Sequence, residues 1–369
     1  MGHGILGALL TVTLFTSIVP SDALELAGFG GLGAEGHTGA GAVVAVVDTG
    51  IDAAHPAFSG RITDGWDFVD GDSDPADGNG HGTHVAGIVA AAADSQTPGG
   101  APQATIMPVR VLDDSGAGSN DTVAQGILWA AEHGADVINL SIGDAGPADR
   151  FRKGGPVALA IRAVSTQATV VVAAGNDAQY EQLFRAGVDA LVVVATDPAG
   201  QPAPFTNVGD SRAVAAPGVD IRSTALTTPS IMFPQGTDGY ATLSGTSMAA
   251  PFVSAEAALL AAIGLTPTQT RTAVTGTAVN TTGDPRLGAG IIDARGAVTS
   301  VTAASGETPV ASPATASPPT PTGAVATDPA ANAPEFPWPL ITIAGETLVV
   351  IAITVTIAVT RHRDGTRTP

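Results

Sequence analysis

The sequence predicts a doubly wound α/β domain with a mainly parallel sheet, and two observations carry that prediction. Short runs at 42–47, 105–111, 137–140, 170–173 and 191–195 are β-branched or apolar. They do not alternate with polar residues, as expected of parallel strands covered on both faces. Between them, residues 83–93, 121–133 and 157–167 are each of helix length. Repeated strand–helix order implies a sheet wound by helices on both sides, whose sites form at the carboxyl ends of strands.

Composition bounds the function. The 369 residues suffice for one large domain with appendages, and 44% hydrophobic content with 46 glycines excludes a wholly disordered chain. With no cysteine, neither a disulfide framework nor a thiolate metal site can form. A formal charge of −19 repels a phosphate backbone, which excludes nucleic acid as a partner and favours basic peptides.

Taken in order, residues 1–23 read as an export signal, with an apolar run at 5–19 and small residues before a cleavage point after Ala23. The n-region has His3 but no Lys or Arg. Residues 24–300 form the folded domain. Residues 301–337 turn to Ala, Pro, Thr and Ser, the composition of an extended linker. Residues 338–360 are apolar apart from Glu346 and several threonines, and are expected to form a transmembrane helix. Arg361 and Arg363 in the tail 361–369 set the C-terminus on the cytoplasmic side and the domain outside.

The residues that can carry chemistry sit where strands end and helices begin. Ser247 lies in Gly245-Thr246-Ser247 before an alanine-rich helix expected over 248–262. That helix would aim unpaired N–H groups and a partial positive charge at the site. Pro251 suits a first helical turn, where an N–H has no intrahelical acceptor. Asp48 ends the first strand, and His81 opens a helix between Gly80 and Gly82, glycines that let other segments approach the imidazole. His84 follows three residues later without the zinc spacing or its glutamate, which reads as a packed structural histidine. Asn176 follows the strand at 170–173 and offers a side-chain amide. A serine hydroxyl becomes a nucleophile only with a base in reach and donors for the oxyanion it makes. The order Asp, His, Ser is that of the subtilisin triad.

The stretches Val46-Val47-Asp48-Thr49-Gly50, His81-Gly82-Thr83-His84-Val85-Ala86-Gly87 and Gly245-Thr246-Ser247-Met248-Ala249-Ala250-Pro251 together resemble the signature blocks of the subtilisin-like serine proteases. Ile138-Asn139-Leu140-Ser141-Ile142-Gly143 matches as well. The resemblance implies that Asp48 orients His81, that His81 takes and returns the proton of Ser247, and that Asn176 donates to the oxyanion. Extended substrate would add as a strand along Ser141, Ile142 and Gly143, and along Ser115 to Gly118. Ala174 and Gly175 would face that edge across a pocket, with Asp144 and Asp177 either at its rim or facing solvent while the apolar wall of Ile142 and Ala174 decides preference. No cofactor is implied. The calcium ligand that many members place after His55-Pro56 is Ala57 here, and residues 94–100 offer one carboxylate, so that metal site is expected to be lost.

Only a short stretch separates Ala23 from Asp48, which implies folding without a covalent pro-domain chaperone. Signal, protease domain, linker and membrane helix together resemble the mycosins, the membrane-anchored subtilases of type VII secretion. Mycosins commonly have cysteines in the domain, and this chain has none. Two function classes follow: a membrane-tethered endopeptidase acting on exported polypeptides, and a structural partner of secretion-system membrane proteins with proteolysis secondary.

Overall fold

The computed structural model describes residues 20–143, 154–179, 189–210, 212–305 and 348–350. In chain order the elements begin with helix α1 (Pro20–Leu26), strand β1 (Val43–Asp48), strand β2 (Trp66–Asp67), helix α2 (His81–Ala90) and strand β3 (Thr105–Arg110). There follow β4 (Ala117–Ser119), α3 (Asn120–Glu132), β5 (Val137–Leu140), α4 (Pro156–Val164), β6 (Thr169–Ala173) and β7 (Ala190–Thr196). The last are β8 (Val214–Pro217), β9 (Ile221–Thr224), β10 (Tyr240–Leu243), α5 (Thr246–Ala262), α6 (Pro267–Thr277), α7 (Ala294–Ser305) and β11 (Leu348–Val350).

Seven strands pair in the order β2-β3-β1-β5-β6-β7-β8, and every ladder is parallel. The strand order reverses between β1 and β5, so their carboxyl ends diverge into a crevice. Both faces are covered. Val44 and Val46 of β1 join the core containing α2 and α5, while Ala45 and Val47 join the core containing α3 and α4. This two-sided burial is why the strands read as unbroken apolar runs.

Helix α5 is buried from Thr246 through Leu260. A helix apolar on every side belongs in the middle of a domain, and its alanines let α2 and the sheet pack against it. It begins two residues before the expected position. Pro251 therefore lies inside the helix, not in its first turn, a correction that bears on the site below.

Residues 20–42 fold back onto α5 and α7. Ala23 and Ala27 are buried, Phe29 packs against Phe252 with centroids 6.4 Å apart, and the Ala294 and Arg295 amides donate to the Ala27 and Gly28 carbonyls. The expected cleavage point after Ala23 falls within α1, and of residues 1–23 only 20–23 are described. Among the described residues no helix is long and apolar enough to cross a membrane. The expected helix over 338–360 lies outside them except for 348–350. Those three are extended and pair antiparallel with β4.

Candidate active site

Asp48 is the last residue of β1 and His81 the first of α2, so the end of a strand and the start of a helix bring the two side chains together. His81 Nδ1 lies 2.7 Å from Asp48 Oδ1, and both residues are wholly buried. The Thr49 amide donates to the same oxygen at 2.8 Å. Glycines make this approach feasible. A Cβ on Gly82 would stand 2.1 Å from the Gly50 carbonyl oxygen, and one on Gly80, at φ +109°, would stand 2.7 Å from the Phe233 ring.

Burial opposes charge on His81. The Asp48 carboxylate, by charge and by hydrogen bond, and then the charge of Asp77 override it, so the imidazole titrates above its ordinary value. His84, one turn on and equally buried, goes the other way. Burial with no carboxylate partner, aided by repulsion from His81, lowers it to about 3, and its Nε2 meets the Ala241 carbonyl at 3.1 Å. His84 is thus a neutral packing residue. Among the described residues no group of three or more His, Asp or Glu is placed to hold a metal ion.

Ser247 is the second residue of α5 and is 5% exposed. Its amide is among the first-turn N–H groups that have no helical acceptor. Its hydroxyl donates to the Ser141 carbonyl oxygen at 3.1 Å, while His81 Nε2 has no hydrogen-bond partner among the described residues. The structure thus joins Asp48 to His81 directly but leaves the Ser247 hydroxyl turned toward the β5 loop. Hydrogen bonds of this kind commonly tighten only when substrate arrives.

Asn176 sits beyond β6 beside the start of α5. Its side-chain oxygen accepts from the Thr246 amide at 2.8 Å and the Thr246 hydroxyl at 3.0 Å. With the oxygen so held, the amide nitrogen is directed away from Thr246. The Thr246 hydroxyl also accepts from the Gly175 amide at 3.1 Å, and Asn207 Oδ1 accepts from the Asp177 and Gln179 amides. These contacts place the loop bearing Asn176 against Thr246, next to Ser247.

Pro251 has a consequence at Ser247. Proline lacks the N–H that would reach the carbonyl four residues back, which is that of Ser247. The Ser141 hydroxyl supplies the donor instead, at 2.9 Å. A chain stands behind it: Asn139 Nδ2 donates to the Ser141 hydroxyl at 2.9 Å, and the Ser254 hydroxyl donates to Asn139 Oδ1 at 2.8 Å. Sequence reasoning had Ser141 as a substrate contact and missed Asn139, Ser254, Thr246 and Asn207. A proline near a helix start, paired with polar residues on an otherwise apolar strand and helix, was the available signal.

Ser141, Ile142, Gly143, Ala174 and Gly175 are all buried around the crevice. Asp177 is exposed, and Asp144 lies outside the described residues. The β4 edge, expected to receive extended substrate, pairs with a strand of the same chain: Leu348, Val349 and Val350 lie opposite Ser119, Gly118 and Ala117.

Comparison with known proteins gives the family of the chain. A sequence model described as "Subtilase family" matches residues 39–316. Thermitase of Thermoactinomyces vulgaris is 42% identical over 65% of this chain and 82% of its own. Subtilisin DY of Bacillus licheniformis is 38% identical over 72% and 93%. A cold-adapted subtilisin-like serine proteinase of known structure is 34% identical, with a TM-score of 0.57 over 69% of this chain and 88% of that one. A protease of Pseudoalteromonas arctica gives a TM-score of 0.63 at 31% identity over 76% and 97%. By sequence and fold, the chain belongs to the subtilase family and is a subtilisin-type serine endopeptidase.

Proposed function

We propose that Asp48, His81 and Ser247 form the triad, with Asn176 as oxyanion donor, in a membrane-anchored endopeptidase that acts outside the cytoplasm. The observation that carries the site assignment is the 2.7 Å contact between His81 Nδ1 and Asp48 Oδ1 beside the N-terminus of α5. Rotation of Ser247 about χ1 transfers its hydroxyl from the Ser141 carbonyl to His81 Nε2. His81 takes the proton as the oxygen attacks the peptide carbonyl, and Asp48 stabilises the imidazolium. The Ser247 amide and the Asn176 side chain receive the oxyanion. His81 then protonates the leaving amine, and water repeats the sequence on the acyl-enzyme. The rotation also frees the Ser141 carbonyl to accept from the substrate backbone along the Ser141, Ile142 and Gly143 edge, opposite Ala174 and Gly175.

The sequence supports anchoring through the apolar run 338–360 and Arg361 and Arg363 behind it. A helix over 338–360 and the pairing of Leu348–Val350 with β4 exclude one another, so anchoring frees the β4 edge. The arrangement of segments supports processing of proteins exported by a type VII secretion system, with secretion-system membrane proteins as partners. A second reading, a structural partner of such a complex, rests on the same anchor and on Glu346 within it.

The test compares secreted peptides from wild-type and Ser247→Ala cells and treats intact cells with an external protease. Substrates that lose their cleaved forms in the variant, and release of the domain by cleavage in 301–337, are expected. A domain protected in intact cells overturns the topology. Secretion that stays normal when the gene is deleted overturns the structural reading.

A further inference from the structure

Asp77, four residues before His81, is not among the residues assigned to the reaction, yet its carboxylate is saturated with donors. Oδ1 accepts from the Thr49 hydroxyl at 2.9 Å, the Asn79 amide at 3.0 Å and the Gly80 amide at 2.8 Å. Oδ2 accepts from the Thr83 amide at 2.9 Å and the Thr83 hydroxyl at 2.6 Å. The two hydroxyls fix the direction of these bonds. Thr49 Oγ1 accepts from the Gly82 amide at 3.0 Å, and Thr83 Oγ1 accepts from the Asp52 amide at 3.0 Å. Each hydroxyl has one proton to give, and with an N–H already pointing at its oxygen, that proton goes to Asp77. All five partners donate, so the group they surround is the carboxylate.

These bonds form a reciprocal clasp. Thr49, beside Asp48, takes an N–H from the turn that starts α2, and Thr83, in that turn, takes an N–H from the chain leaving β1. Asp77 is the common acceptor of both.

We propose that Asp77 is a positioning residue for the triad: its carboxylate clamps the Asp48 turn to the first turn of the His81 helix, and its negative charge favours the imidazolium formed during turnover. The inference rests on the reading of His81 as the base. A helix N-terminus by itself disfavours a cation in its first turn, and His81 occupies such a position. A second carboxylate beside it, in addition to Asp48, offsets that field. Burial pushes the Asp77 carboxyl up by more than its hydrogen bonds to Thr83, Gly80 and Thr49 pull it down, so it titrates above its ordinary value.

The charges around His81 make the effect separable. From the elements packed on α2 come Asp48 and, in register beside it on β3, Arg110, whose guanidinium is engaged by Asp67, Asp70 and Asp114. The remaining titratable groups are His84 on α2, Glu256 on α5, Arg222 on β9 and His55 before residues 56–58. Asp48 and Asp77 are the two whose charge raises His81.

The experiment measures kcat and KM against pH for the full chain, its Asp77→Asn variant and a control, Asp72→Asn, which removes an exposed charge from a neighbouring loop. The expected result is an acid limb of kcat/KM displaced downward by about 0.3–1 pH unit in Asp77→Asn, with kcat reduced and KM unchanged, and no displacement in the control. A folded Asp77→Asn enzyme with the wild-type acid limb overturns the proposal. If Asp77→Asn does not fold, Thr49→Val and Thr83→Val each remove one stitch and keep the charge. Each is then expected to lower kcat about three- to tenfold with the acid limb in place, and full kcat in either overturns the proposal. An inactive wild type fails the reading of the site itself, whereas an active wild type with unmoved variants fails Asp77 alone.

Discussion

The two halves of the site are held by different physics. The Asp48–His81 half is built on charge: a buried carboxylate against the imidazole, five donors on a neighbouring carboxylate and glycines that permit close approach. The Ser247 half is built on neutral groups: Ser141, Asn139, Ser254, Thr246 and the Asn176 amide. The first half holds carboxylate charge at rest in a buried place, so that charge needs partners before substrate arrives. In the second half charge appears only when the tetrahedral intermediate forms, so neutral bonds hold the chain while N–H groups stay directed at the future oxyanion. Acid–base chemistry is thus separated from oxyanion binding, and substitutions in each half should leave different signatures.

The largest expected effect comes from removing the unit that joins the halves. Ser247→Ala or His81→Ala should each lower kcat about a millionfold, the magnitude established for the subtilisin triad and carried over here. The double variant should be little worse than either alone. Multiplying losses would show that the two residues do not act together. Asp48→Asn strikes the charged half. A loss of about ten-thousandfold is expected, the value known from the corresponding change in another serine protease. The wild-type acid limb should lie above the ordinary histidine value, because kcat/KM requires the neutral base and His81 titrates high. A wild-type limb below that value would break the charge-based account.

In the neutral half the effects should be smaller and free of pH signature. Asn176→Ala is expected to cost about a hundred- to thousandfold in kcat, again the known value for this oxyanion donor in subtilisin, with KM and the acid limb unchanged. Ser141→Ala strands the Ser247 carbonyl that Pro251 leaves without a donor. A loss of about tenfold in kcat is expected from one unsatisfied buried acceptor. Pro251→Ala, which restores the helical N–H, should recover part of it, and a double variant no better than Ser141→Ala would refute the compensation.

The smallest effect lies away from catalysis and has the opposite sign. Glu256 is fully buried in α5, and neither carboxylate oxygen has a partner among the described residues. Burial, then repulsion by Asp293, holds its carboxyl well above the ordinary value. A group whose folded pKa exceeds its unfolded one contributes stability below the unfolded value and loses it as pH rises through the folded value. Glu256→Leu should therefore stabilise the domain by about 1–3 kcal/mol, with a gain in Tm that is larger at pH 8 than at pH 4. Equal gains at both would show that Glu256 does not titrate.

The sequence by itself determined the sheet and the motif positions. Strands buried on both faces must be apolar throughout, so β1, β3, β5, β6 and β7 stood out as runs. A triad needs fixed residue types at strand ends and helix starts, so Asp48, His81 and Ser247 could be named as candidates before any coordinates. The short strands β2 and β8 and the β9–β10 pair left no such trace. Only the tertiary structure decided that Ser247 rests on Ser141, that Pro251 lies inside α5, and that Asp77 collects five donors from three turns. Periodicity reports which face of an element is buried, because burial acts on many residues at once. The direction of a single hydroxyl depends on which donor and acceptor meet, here Ser247 and Ser141 at a sequence separation of 106, and that meeting exists only once the core has closed.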